Sequence, residues 1–99
     1  MKWQLDDLPV FLAVLEQGGI SAAARTLGLS KSSVSVVLTR LEQSLQLRLV
    51  DRSTRSLRVT TEGEVFYRQA LLIMEQAREA DALMAGLGAA PNGKLTVAL

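Results

Sequence analysis

Between residues 21 and 60 this 99-residue chain places seven cationic side chains, Arg25, Lys31, Arg40, Arg48, Arg52, Arg55 and Arg58, against two acids, Glu42 and Asp51. Among them stand small hydroxyls at Ser21, Ser30, Ser32, Ser33, Ser35 and Thr39. Guanidinium, ammonium and hydroxyl groups gathered in one segment can pair with phosphates and hydrogen-bond to polar edges without breaking any covalent bond. The formal charge of the chain is only +1, because the segments on either side each carry two more acids than bases. A basic middle between acidic flanks points to a localised anionic partner, with a plain solvated surface as the alternative.

Other chemistries are short of residues. The chain has no histidine and no cysteine, which removes imidazole and thiolate metal ligands as well as disulfides. It has no phosphate-cradling glycine loop and no carboxylate pair set in an apolar surround, so no catalytic constellation can be named and an enzyme is not expected. No cofactor is expected on these residues. No signal-like leader and no apolar run of membrane length occur, and the expectation is a cytoplasmic protein.

How the cations and hydroxyls are presented depends on the stretch SKSSVSVVLTRLE, residues 30–42. Taken two at a time, Ser33, Val34, Ser35 and Val36 alternate like a half-buried strand. At about 100° per residue, however, Val37, Leu38, Leu41 and Leu45 all fall within roughly 60° of Val34, a core stripe sustained well beyond the alternating four. The helix reading prevails. It turns Ser32, Val36, Thr39 and Gln43 away from the core, with Ser33 and Arg40 on one flank and Lys31 and Ser35 on the other.

The segments before it complete a motif. Leu5, Leu8, Leu12 and Leu15, with Phe11, follow three- and four-residue spacing, so residues 6–17 read as an amphipathic helix capped by Asp6, with Pro9 in its first turn and Gly18-Gly19 as its end. Ser21 is the expected cap of a short helix over residues 22–27, Gly28 its left-handed stop and Leu29 an inward anchor. Ser30 caps the third segment. Two short capped helices joined by a glycine-containing turn form a helix-turn-helix.

Beyond it, Leu47 to Val50 and Leu57 to Val59 alternate as the arms of a hairpin with a six-residue tip, in the position of a wing. Phe66, Ala70, Ile73, Ala77, Ala80, Met84 and Leu87 then keep an unbroken heptad stripe over residues 61–88, with Thr60 or Thr61 as cap and Thr61 with Glu64 as a capping box. A rod roughly 42 Å long, at about 1.5 Å per residue, is too long to bury that stripe on the small globule before it. It needs a partner, most simply a second copy, or else a further domain. The fold expected is mainly α: a winged helix-turn-helix over residues 1–60, a dimerisation helix over 61–88, and a hinge with the start of another domain over 89–99, where KLTVAL reads as an unfinished strand.

In a winged helix-turn-helix the second helix of the pair enters the DNA major groove while the wing touches the backbone or minor groove. On that reading Lys31, Ser32, Ser33, Ser35, Thr39 and Arg40 face DNA, and the helix N-termini at Ser21 and Ser30 offer partial positive charge to phosphates. Val36 has no core to join. Its methyls either meet a thymine C5-methyl, or pack under a neighbouring loop, or stand as an ordinary surface apolar group. Arg55, nearest the wing tip, is placed for a narrow minor groove, and Arg52 and Arg58 for phosphates or for pairing with Asp51 and Glu62. Pairing of two long helices through their alanines would hold two such units at fixed spacing, which implies a homodimer on a pseudo-palindromic double-stranded site. A competing reading is a protein-interaction module whose heptad helix binds a partner while the basic hairpin is merely solvated.

The stretch LDDLPVFLAVLEQGGISAAARTLGLSKSSVSVVLTRLE resembles the LysR-type bacterial transcriptional regulators: an L-x-x-L-x-x-F opening, an Ala-Ala-x-x-Leu second helix and a V-S-x-x-I/L-x-x-L-E third helix. The Arg-rich hairpin followed by VTTEGE is similar to the family's wing and L-T-x-x-G, so the likeness spans about residues 5–88. The resemblance implies a linker helix that dimerises in antiparallel fashion, a C-terminal effector domain that binds a small-molecule inducer, tetramers among full-length relatives, and RNA polymerase as a further partner. It also implies that Lys31, Ser32, Ser33 and Ser35 face DNA and that Arg55 is the minor-groove arginine. The chain departs from the pattern at Val36, where many members have arginine, at Val37, where glutamine is frequent, and at Gly19 and Val50, in place of serine and phenylalanine. Gln46 replaces the usual glycine after the third helix; a left-handed conformation there costs about 1–2 kcal/mol, and a different turn into the wing is expected.

Overall fold

The computed structural model describes residues 1–52 and 56–89. Its elements run α1 (Asp7–Gln17), α2 (Ile20–Leu27), α3 (Lys31–Leu45), β1 (Val50–Asp51), β2 (Arg58–Val59) and α4 (Thr61–Ala89). The fold is mainly α, with helix-turn-helix, hairpin and long helix in the expected order.

The first three helices pack on one another around Leu8, Phe11, Val14, Val34, Leu38 and Leu41, all fully buried. Burial of each such side chain contributes about 1.5–3 kcal/mol, which is why the apolar period dictates how each helix rolls. In α3 the stripe follows the wheel, with Val37 and Leu45 half-buried beside the three core residues. Val36 faces the other way and is 58 % exposed.

Helix ends differ from the sequence reading in three places. Asp6 occupies the position before α1 but makes no cap hydrogen bond; Asp7 instead accepts the Gln4 N–H at Oδ2, 3.0 Å away. Helix α2 begins at Ile20, with extended Gly19 before it, so Ser21 lies inside the first turn and is not the cap. Leu29 is not an inward anchor, being 43 % exposed, because the chain has already left α2 through left-handed Gly28 at φ 70°. Gly18, at φ 83°, ends α1 as glycine can without a Cβ clash.

After α3 the turn into the wing keeps the left-handed form despite the missing glycine. Gln46 stands at φ 57°, ψ 37°. The expected alternative turn is not taken, since the left-handed residue lets Leu47 N–H reach the Glu42 carbonyl at 3.2 Å and closes the helix. The hairpin is shorter than the alternation suggested: β1 and β2 pair antiparallel through Val50 with Val59 and Asp51 with Arg58 alone. Leu49 and Val50 are fully buried beneath it.

Thr60 caps α4, accepting the Gly63 N–H at 2.9 Å and donating its hydroxyl to the Arg48 carbonyl at 2.6 Å. The Thr61–Glu64 box therefore does not form. Gly63 is required where it stands, because a Cβ there would sit 2.0 Å from the Leu49 carbonyl oxygen. From this tight start α4 runs back across α1. Ala70 is fully buried, Phe66 places its ring 5.3 Å from Phe11 and 5.4 Å from Trp3, and Ile73 packs on the same core. Tyr67 donates its hydroxyl to Glu16 at 3.1 Å, a second tie between the two helices. The expectation that the globule could not cover the stripe thus fails for its first half. Ala77 is half-buried, and from Ala80 through Met84 to Leu87 the stripe is exposed.

Candidate nucleic-acid interface

The third helix is fixed by its first turn. Ser30, in extended conformation, accepts the Ser33 N–H at Oγ, 3.1 Å away, and donates its hydroxyl to Ser33 Oγ at 2.9 Å. Ser33 is therefore exposed but committed to the cap. Of the residues assigned to the DNA side, Lys31, Ser32, Ser35, Val36, Thr39 and Arg40 line one open groove along α3, which they share with Ile20 and Gln43. Ile20 and Gln43 were not singled out from sequence as site residues; Gln43 lies on the outward face of the wheel, whereas nothing in the local pattern marks Ile20.

Arg40 is held at the edge of this groove by Asp7. Their ion pair spans 2.5 Å between a nearly buried carboxylate and a half-exposed guanidinium. Burial alone raises the Asp7 carboxyl, but the hydrogen bonds from Arg40 and from the Gln4 amide, together with the Arg40 charge, outweigh it and hold the group below its ordinary value. The same pair raises Arg40 further. An arginine so anchored presents its remaining N–H groups in a set direction.

A second hollow forms where the first turn of α2 meets the wing, lined among others by Ser21, Arg25, Arg52 and Ser56. The α2 N-terminus opens into it, so two guanidinium groups and unpaired helix amides stand together. Arg58 is exposed on β2. Arg55 lies outside the described residues.

The joint between α3 and the wing rests on a residue the sequence reading passed over. Glu42 is 6 % exposed; its Oε2 accepts the N–H of Leu49 at 2.8 Å and of Val50 at 3.2 Å, while Oε1 takes Arg48 at 3.3 Å and Arg52 at 3.2 Å. Arg52 thus has Glu42 as a partner, an acid not considered for it from sequence. The signal was present: on the wheel Glu42 falls about 80° from Val34, an acid at the margin of an apolar stripe. Among the described residues no set of His, Cys, Asp and Glu side chains converges to hold a metal ion, and no helix is long and apolar enough to cross a membrane.

Three packed helices, an outward third helix with a capped N-terminus and a hairpin beside it define a winged helix-turn-helix DNA-binding domain. Residues 5–64 match the sequence model of the bacterial regulatory helix-turn-helix protein, lysR family, and the chain belongs to that family. The HTH-type transcriptional regulator CrgA of Neisseria meningitidis is 37% identical over 97 residues, 98% of this chain and 32% of that protein. The HTH-type transcriptional activator AaeR of Escherichia coli is 33% identical over 94 residues, 95% of this chain and 30% of that protein. The chain spans about a third of the length of such relatives. Both are transcriptional regulators. Among solved structures, the BenM DNA-binding domain in complex with catB site 1 DNA superposes with a TM-score of 0.84 at 25% identity, covering 88% of this chain and 98% of that one. Vibrio fischeri DarR in complex with DNA shares the fold with a TM-score of 0.85 at 22% identity, over 93% of this chain and 32% of that one.

Proposed function

We propose that this chain reads a pseudo-palindromic operator as a dimer, with α3 in the major groove and the wing against the backbone and minor groove. The observation that carries the reading is the groove along α3: Lys31, Ser32, Ser35, Val36, Thr39 and Arg40 stand together on the side opposite the core. Ser33 supports them from the cap. The hollow shared by Ser21, Arg25 and Arg52 is suited to a backbone phosphate beside the α2 N-terminus. Arg55 and Arg58 extend the cationic wing. The likeness to the BenM domain in its DNA complex supports this docking.

Dimerisation falls to the exposed half of the stripe. Ala77, Ala80, Met84 and Leu87 pair with the same residues of a second copy, antiparallel as family members do, while Phe66, Ala70 and Ile73 join α4 to its own globule. Residues 1–60 then read the site, residues 61–88 set the spacing between half-sites, and residues 89–99 lead to an effector domain that binds a small molecule. In the whole protein that domain supports tetramers and communication with RNA polymerase, in the bacterial cytoplasm. Selection of bound duplexes from random DNA tests the reading: an enriched inverted repeat is expected, and recovery of no common sequence contradicts it.

A further inference from the structure

Resting on that DNA reading, we infer that Val36 and Ile20 form an apolar notch in the recognition surface that selects thymine by its C5-methyl at one base pair of each half-site. Three observations converge. Val36 is 58 % exposed on the face of α3 turned from the core, a β-branched side chain with no apolar neighbour of its own stripe to cover it. Ile20, the first residue of α2, is only half-buried and lines the same groove, whose wall is mostly apolar. The polar residues of that groove, Lys31, Ser32, Ser35, Thr39, Arg40 and Gln43, surround the notch, and the two cations among them attract an anionic duplex.

The chemistry leaves one occupant on DNA. Of the groups a base pair shows in the major groove, the thymine methyl is the one large apolar group, cytosine offering only a C5–H in its place; the rest are donors and acceptors that an aliphatic pair would desolvate without replacing their hydrogen bonds. A valine and an isoleucine in the groove therefore favour T·A and disfavour C·G at the position they meet. Arg40, which lines the same groove, is tethered to Asp7.

Replacing thymine by deoxyuridine removes the methyl and nothing else, so the test needs no change in the protein. With the 99-residue chain and a selected duplex, each T is replaced in turn in both half-sites and affinity is measured by fluorescence anisotropy. One position is expected to cost about fourfold per half-site, the factor that burial of one methyl group yields. At that position the Val36→Ala variant should discriminate thymine from uracil less than the wild type does, and 5-methylcytosine should outbind cytosine by more with the wild type than with the variant. If every T tolerates uracil, or if Val36→Ala prefers thymine as strongly as the wild type does, the notch does not read the methyl. Binding to no duplex at all would overturn the DNA reading and this inference with it.

Discussion

The Glu42 carboxylate, buried on α3, holds the Arg52 guanidinium of the wing at 3.2 Å while its other oxygen accepts the main-chain N–H groups of Leu49 and Val50. One side chain thereby fixes the wing relative to α3. Because the two amides are buried, each loses about 1–3 kcal/mol when its acceptor is removed. Glu42→Ala is therefore expected to lower the urea midpoint markedly. Glu42→Gln, which keeps one acceptor oxygen but no charge, should recover part of that stability while leaving the arginines unpaired. Equal midpoints for wild type and Glu42→Ala would show that the joint does not depend on this residue.

Asp7 and Arg40 make stability depend on acid in a definite direction. An ordinary aspartate titrates near 3.8, and Asp7 in the folded chain lies below that value. The unfolded chain therefore takes up the proton first as the pH drops, so the stabilisation is complete above the unfolded value and is lost as pH falls through the folded one. As pH falls from neutrality through the ordinary aspartate value and then the lower folded one, the wild type is expected to lose more stability than Asp7→Asn, which has no carboxyl to protonate. Parallel curves of thermal midpoint against pH for the two proteins would contradict the role given to the pair.

How far these contacts could be read in advance depends on their separation along the chain. The α3 stripe was legible because Val34, Leu38 and Leu41 repeat at the helical period, and the same wheel put Val36 outside. The Ser30 cap was legible for a similar reason, since Ser30 and Ser33 belong to one turn. Asp7 and Arg40 lie thirty-three positions apart, and nothing local marks Asp7 over Asp6. The heptad stripe of α4 named which residues are apolar but not what covers them: Phe66 and Ala70 found α1, a choice made by the tight turn at Thr60 and Gly63. Gln46 adopts the left-handed form that the family's glycine would take, so closing α3 prevailed over the local preference.

The remaining half of that stripe gives the association its test. Met84 and Leu87, its large side chains, are both at least half-exposed at the far end of α4. Burying such residues against a copy contributes about 1.5–3 kcal/mol apiece. Met84→Glu with Leu87→Glu is expected to convert a dimer to a monomer in light scattering without changing the helical circular dichroism signal. A double variant that remains dimeric would place the contact elsewhere.

Binding of duplex DNA by the α3 groove and the wing should depend steeply on salt. A dimer neutralising roughly 6–10 phosphates releases as many counterions, so affinity for a selected duplex should fall about 10³- to 10⁵-fold between about 50 and 200 mM salt. Log affinity against log salt is expected to follow a straight line with a slope near −0.9 for each phosphate contact. A flat line, or no binding at the lowest salt, would contradict it.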